Sequence, residues 1–163
     1  MKFKLIFLLA VITLAPSVSA AQKEKYVGYR HKGVVYGARL PNGVKDLGGG
    51  LLSNENYGVT RYSKNGETML WLERIISFEK NGIPKWEVKD VLFFGKLSRN
   101  HEFLFSYSSP CTENGGENLD LIVLARFDRK TKTYTVERAW MADLLREIFE
   151  EISTENIVCD QEN

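Results

Sequence analysis

Histidine and cysteine are scarce in this chain of 163 residues: His31, His101, Cys111 and Cys159 are all there is. Their spacing matches no ligand cluster of the kind zinc domains use. Neither a Gly-x-Ser-x-Gly elbow nor a His-Glu-x-x-His pair occurs. His31 lies in Gly-rich text and His101 in a polar turn, so both read as solvent-facing. Charge of one sign is missing as well. With 22 Lys plus Arg against 21 Asp plus Glu the net charge is +1, which offers no basic footprint for nucleic acid or an anionic membrane. Proline is rare (4) and 44% of residues are hydrophobic, which excludes a disordered or low-complexity chain. No catalytic residue, metal ligand or cofactor is assigned on this basis.

Only one long apolar run is present, and it stands at the N-terminus. Lys2 and Lys4 precede an apolar stretch from Leu5 to Ala15, followed by Pro16-Ser-Val-Ser-Ala20. The run is too short for a bilayer span of about 20 residues and ends on small residues, the pattern of a signal peptide cleaved after Ala20. Residues 1–20 are therefore read as a leader and 21–163 as one globular domain, secreted or periplasmic, with no integral membrane segment after cleavage. No Asn-x-Ser/Thr sequon occurs. In an oxidising compartment an even pair of cysteines is expected to join, so Cys111 and Cys159 are read as a disulfide that pins the tail to the 108–118 loop.

The mature chain reads mainly as β-structure. A Gly- and Tyr-rich opening suggests a short strand near Val34 to Leu40, a Pro41-Asn-Gly43 turn and then a loop through Gly48-Gly49-Gly50. That triple glycine lacks the Lys-Ser/Thr of a phosphate-binding loop. Lys64-Asn65-Gly66 and Lys80-Asn81-Gly82 repeat one hairpin signal, flanked by strand text at Tyr57–Ser63, Met69–Phe78 and Trp86–Phe94. Within the last of these, Asp90 falls on the apolar parity. Either a bulge near Asp90-Val91 re-registers the strand, or Asp90 is an inward carboxylate with a partner. Val91 and Phe93 break the parity too, which favours the bulge.

Three further strands are expected at Glu102–Ser108, Leu119–Phe127 and Thr133–Trp140, with Tyr134, Val136 and Trp140 on one face. Leu144, Leu145, Ile148, Phe149 and Ile152 recur at helical spacing behind a possible Asp143 N-cap, which predicts a helix over Leu144–Ile152. The expected fold class is α+β: an antiparallel meander of about six strands with this helix packed on it, all-β being the alternative.

Several elements of the second half resemble one group of proteins. Trp86-Glu-Val-Lys-Asp-Val-Leu92, the cysteine Cys111 after a strand, Arg138-Ala-Trp140, Phe149-Glu-Glu-Ile152 and Ile157-Val-Cys159 are similar to a group of small, secreted, uncharacterised bacterial proteins of cyanobacterial type. The resemblance implies export and pairing of the two cysteines, and it brings no activity with it. It also unsettles the helix, since a polar turn stands after the Ala-Trp pair in that group; a hairpin there would make the fold all-β.

Candidate sites are few. Glu73, Asp90, Asp120 and Glu137 all fall on strand text and are the carboxylates available for glycoside hydrolysis. Glu113, Asn114, Glu117, Asn118 and Asp120 crowd the loop after Cys111 and offer oxygen ligands to calcium, although their spacing is not that of an EF-hand. Trp71, Trp86 and Trp140 suit either a core or a stacking surface for sugars or a protein partner. Tyr26, Tyr29 and Tyr36 have little apolar company and form the contact set expected to be exposed. The resulting expectation is an exported, non-catalytic binding or inhibitor-type protein whose partner is an envelope or extracellular protein. The alternative is a small carboxylate-dependent hydrolase acting on cell-wall or other glycans.

Overall fold

The computed structural model describes residues 22–32, 40–105 and 109–160. The leader at 1–20, Tyr36, most of the strand expected near Val34 and the end of the strand expected to reach Ser108 lie outside them. Among the described residues twelve strands follow in chain order: β1 Arg30–His31, β2 Lys45–Leu51, β3 Tyr57–Lys64, β4 Glu67–Phe78, β5 Pro84–Phe94, β6 His101–Phe105, β7 Cys111–Glu113, β8 Gly116–Glu117, β9 Leu121–Asp128, β10 Thr133–Asp143, β11 Ile148–Ile152 and β12 Ile157–Cys159. They form three antiparallel sheets, ordered β1-β5-β4-β3-β2, β11-β10-β9-β6 and β12-β7-β8.

The two larger sheets face each other. Val59, Leu70, Leu72 and Phe94 of the first meet Ile122, Leu124, Trp140, Ala142 and Phe149 of the second in one continuous core. The outer face of the second sheet is covered by the third, where Cys111 and Cys159 are directly opposed and joined by a disulfide. The outer face of the first sheet carries Tyr62, Met69, Trp71, Val88 and Val91, and Tyr26 and Val44 pack onto it.

The predicted helix over Leu144–Ile152 is not present, and the α+β reading is corrected to a nearly all-β fold with no helix of seven or more residues among the described residues. Asp143 does accept hydrogen bonds from the amides of Leu145 and Arg146, as an N-cap would, but the chain turns back after four residues with Glu147 at φ 57°. Ile148–Ile152 then pairs with Ala139–Asp143. A lone nine-residue helix is marginal in water, whereas a hairpin continues a ladder already running along β10. Leu145, a member of the supposed apolar stripe, is 98% exposed.

Turn chemistry explains two hairpins and corrects a third. Asn65-Gly66 and Asn114-Gly115 both take positive φ at both positions, as a two-residue hairpin turn requires. The second Lys-Asn-Gly copy does not: Asn81 stays at negative φ, only Gly82 is left-handed, and a longer loop runs from Glu79 to Ile83. The triple glycine lies in β2 rather than in a loop.

Two single-residue bulges decide which side chains face which core. In β5, Leu72 sits opposite Asp90 and Glu73 opposite Val88, so Lys89 is the extra residue. Trp86 and Val88 therefore share a face with Val91 and Phe93, while Asp90 and Phe94 point into the core between the sheets. The strand is bulged and its carboxylate is also inward. Asp90 is 1% exposed and accepts hydrogen bonds from the amides of Val91 (2.6 Å) and Phe149 (2.8 Å), with Lys23 Nζ at 2.5 Å. In β10 the register shifts between Val136 and Arg138. Trp140 consequently lies in the core between the large sheets, while Tyr134 and Val136 pack on the opposite side, a correction to their expected shared face.

Candidate functional site

The first sheet's outer face is sealed by apolar side chains along most of its length and opens into a cleft of about 370 Å³ at one end. Parity places the floor. Gly58, Thr60 and Tyr62 alternate along β3 on one face, and Glu73 of β4 stands opposite Gly58. On the far side His31 of β1 is paired with Trp86 of β5. The remaining wall comes from Asp46 and Gly48–Gly50 of β2, with Lys32 and Pro84 at the edge.

Glu73 is the centre of this floor. Its residue is 3% exposed, and its carboxylate accepts from His31 Nε2 (2.7 Å) and the Tyr62 hydroxyl (3.1 Å) on one oxygen and from Thr60 Oγ1 (2.8 Å) on the other. A carboxylate can only accept here, so Nε2 of His31 carries the hydrogen that points at it. Three donors compensate the desolvation that would otherwise make such a burial prohibitive. Burial pushes the Tyr62 phenol far above its ordinary range, and the negative charges of Glu73 and Asp46 and the hydrogen bond to Glu73 add to the effect. Tyr62 is therefore a fixed, protonated donor.

The glycine wall is a matter of backbone clearance. A Cβ on Gly49 would stand 2.5 Å from the Val59 carbonyl oxygen and 2.8 Å from Thr60 Cα, so β2 approaches β3 closely only because that position is bare. Gly48 is left-handed at φ 96°, and its amide donates to Asp46 Oδ1 at 2.6 Å. Beside the floor, the six-membered ring of Trp86 lies 3.6 Å from where a Gly58 Cβ would be.

The expected contact residues have different surroundings. Tyr26 is 4% exposed and packs its ring 5.2 Å from that of Trp71, which corrects its expected exposure. The turn that carries it folds back onto the sheet, and Trp71 supplies the apolar company that its neighbours in sequence lack. Tyr29 is partly buried and stacks on His31 with ring centroids 6.0 Å apart. His31, expected to face solvent, is 8% exposed, and His101 is held by Ser98 Oγ (2.6 Å) and Glu137 Oε2 (2.9 Å). Trp71 and Trp140 belong to the cores, which leaves Trp86 as the tryptophan at a cleft. The Trp71 indole N–H is buried among aromatic rings without an acceptor among the described residues.

The four carboxylates expected on strands do not converge, and Asp120 lies in the turn before β9. Asp90 ties the sheets together, Asp120 accepts from the amide and hydroxyl of Ser53, and Glu137 pairs with His101. Glu73 instead shares its cleft with Asp46, a residue the strand pattern does not single out. In the loop after Cys111, Glu113 is engaged by the Asn118 side chain. Among the described residues no group of three or more His, Cys, Asp or Glu could hold a metal ion, and no helix is long and apolar enough to cross a membrane. The one local signal for the cleft is Glu73 itself, a carboxylate that directly follows the apolar run Met69–Leu72 and shares the parity of Met69 and Trp71.

No family model matches this chain, and neither the curated proteins nor the solved structures give a match to it.

Proposed function

We propose that this is an exported, non-catalytic binding protein that holds its ligand in the His31–Glu73 cleft. The observation that carries the reading is the state of the floor: each oxygen of Glu73 is already engaged by donors of the protein. A nucleophile or general acid needs a lone pair or proton aimed at the substrate, and a carboxylate knotted into three hydrogen bonds serves better as a rigid anchor. Preorganised polar groups beside an aromatic side chain in a cleft of this size suit recognition of a small ligand or of a segment of an envelope or extracellular partner. Export rests on the leader expected at 1–20 and is supported by the Cys111–Cys159 disulfide, which belongs in an oxidising compartment. The resemblance to small secreted bacterial proteins points the same way.

One observation favours a second reading. Asp46 and Glu73 line the same cleft, and two carboxylates facing a shared space are what a glycoside hydrolase requires. One experiment separates the two. The chain, exported with its own leader, is mixed with fractions of envelope extract and culture medium while its melting temperature and amide exchange are followed. Binding predicts that a fraction raises the melting temperature and slows exchange in β1–β3, that Thr60→Trp abolishes both effects, and that the fraction is recovered unchanged in mass. Cleavage of a component moves the assignment to the hydrolase; absence of any protecting fraction removes the cleft as a binding site.

A further inference from the structure

Resting on that binding reading, we infer that the ligand is a saccharide without negative charge, one ring of which lies on Trp86. The polarity of the lining sets the sign. Asp46 and Glu73 both face the space, and the one lysine at its edge, Lys32, is paired with Glu79 at 2.8 Å. A phosphate or uronate entering there meets two carboxylates at short range in a partly desolvated site, where repulsion is strongest. A ligand that enters must bring donors.

Hydroxyl groups suit the site better than a bare cation. Both oxygens of Glu73 already accept from donors of the protein and Asp46 accepts from the Gly48 amide, so the few lone pairs left over suit single hydroxyl donors better than the three N–H donors of a bare ammonium ion. A hydroxyl both donates and accepts. It can therefore donate to the lone pairs that remain on Asp46 and Glu73 and accept in turn. A pyranose adds an apolar C–H face, and Trp86 supplies the matching surface: it is partly buried, and its ring is backed by the bare Gly58. Gly48, Gly49 and Gly50 keep the opposite wall free of side chains, so the slot stays wide enough for a ring.

The test is titration calorimetry with tryptophan fluorescence on the disulfide-intact chain. The probes are neutral gluco-, manno- and N-acetylglucosamine oligosaccharides, oligogalacturonate and putrescine. At least one neutral series is expected to bind and shift the fluorescence. Trp86→Ala is expected to weaken it tenfold or more, Asp46→Asn about fivefold and Trp86→Phe less than either, and oligogalacturonate is not expected to bind. Thermal melts establish that each variant is folded; if Trp86→Ala is not, Asp46→Asn and Trp86→Phe carry the test. Uronate binding as tight as neutral sugar, putrescine binding with the same Trp86 dependence, or sugar binding indifferent to Trp86 each overturns the inference. If no sugar binds while an extract fraction still protects the cleft, the saccharide assignment fails and the binding reading stands; if neither occurs, both fall.

Discussion

Asp90 gives the most direct test of how the sheets are joined. It lies on the first sheet, is 1% exposed, and accepts from two backbone amides, one of them Phe149 of the second sheet. Asp90→Ala strands both N–H groups in the core between the sheets. At about 1–3 kcal/mol for each buried unsatisfied donor, the expected loss is about 4 kcal/mol, a large share of the roughly 5–15 kcal/mol a domain has. Asp90→Asn keeps the shape and one acceptor but turns an amide toward the other N–H, so about 2 kcal/mol is expected. Lys23 contributes differently. Its side chain is 42% exposed, so Lys23→Ala should cost no more than about 1 kcal/mol even though its ammonium lies 2.5 Å from the carboxylate. Urea unfolding at pH 7, followed by tryptophan fluorescence, yields the three values, with unchanged m indicating that the unfolded state is not altered. If Asp90→Ala is too unstable to fold, Asn and the lysine variant still rank the contributions. The reasoning fails if Asp90→Asn matches the wild type, or if Lys23→Ala costs as much as the changes at Asp90.

Three other outcomes are expected. Reducing the disulfide, or replacing Cys111 and Cys159 by Ala, releases a closed loop of 48 residues and should lower stability by about 4 kcal/mol; two reactive thiols in untreated exported protein would contradict the bond. Gly49→Ala should cost about 2–3 kcal/mol because backbone atoms occupy the space. Gly82→Ala, with nothing within 4 Å and only its left-handed φ to strain, should cost about 1 kcal/mol, and equal losses in thermal melts would refute the steric argument. Glu147 is partly buried, which by itself would raise its carboxyl. The Lys89 and Tyr57 hydrogen bonds and the Lys89 and Arg74 charges outweigh that and hold it below the usual range. A carboxyl depressed on folding contributes stability above its unfolded value and loses it as pH falls through the folded one. Glu147→Gln should therefore flatten the melting-temperature profile between about pH 5 and pH 3 and cost about 1 kcal/mol at neutrality; a superimposable acid limb would exclude this role.

Where strands lie was readable because alternation and turn residues are local signals: Tyr57–Lys64, Asn65-Gly66 and Glu67–Phe78 spell one hairpin in consecutive text. What faces what was not, because a bulge is a single uncounted residue. Lys89 and Glu137 each reverse the parity of the residues beyond them, which is why strict alternation groups Trp140 with Tyr134 and Val136. The helix reading failed for a related reason. Five apolar residues at 144, 145, 148, 149 and 152 satisfy a helical stripe, and the competing instruction, the Ala139–Asp143 ladder, lies outside the segment. The cleft was the least legible feature. Thr60, Tyr62 and Glu73 share the β3–β4 hairpin, but His31 comes from β1 beyond β5, and only the order of the sheet makes it their neighbour.

The extra position at Lys89 has an evolutionary corollary. Its ammonium is shared by Glu87 and Glu147, with the Lys89 side chain only 15% exposed, so the amino acid there is not freely exchanged. Losing the position altogether is the gentler change for the ribbon. A descendant shortened by one codon between Val88 and Asp90 would set Val88, Asp90 and Val91 in plain alternation opposite Glu73, Leu72 and Trp71, each side chain still on its present wall. The local bend would go and the register would stay, whereas a second deletion beside it would turn the distal half of the ribbon inside out.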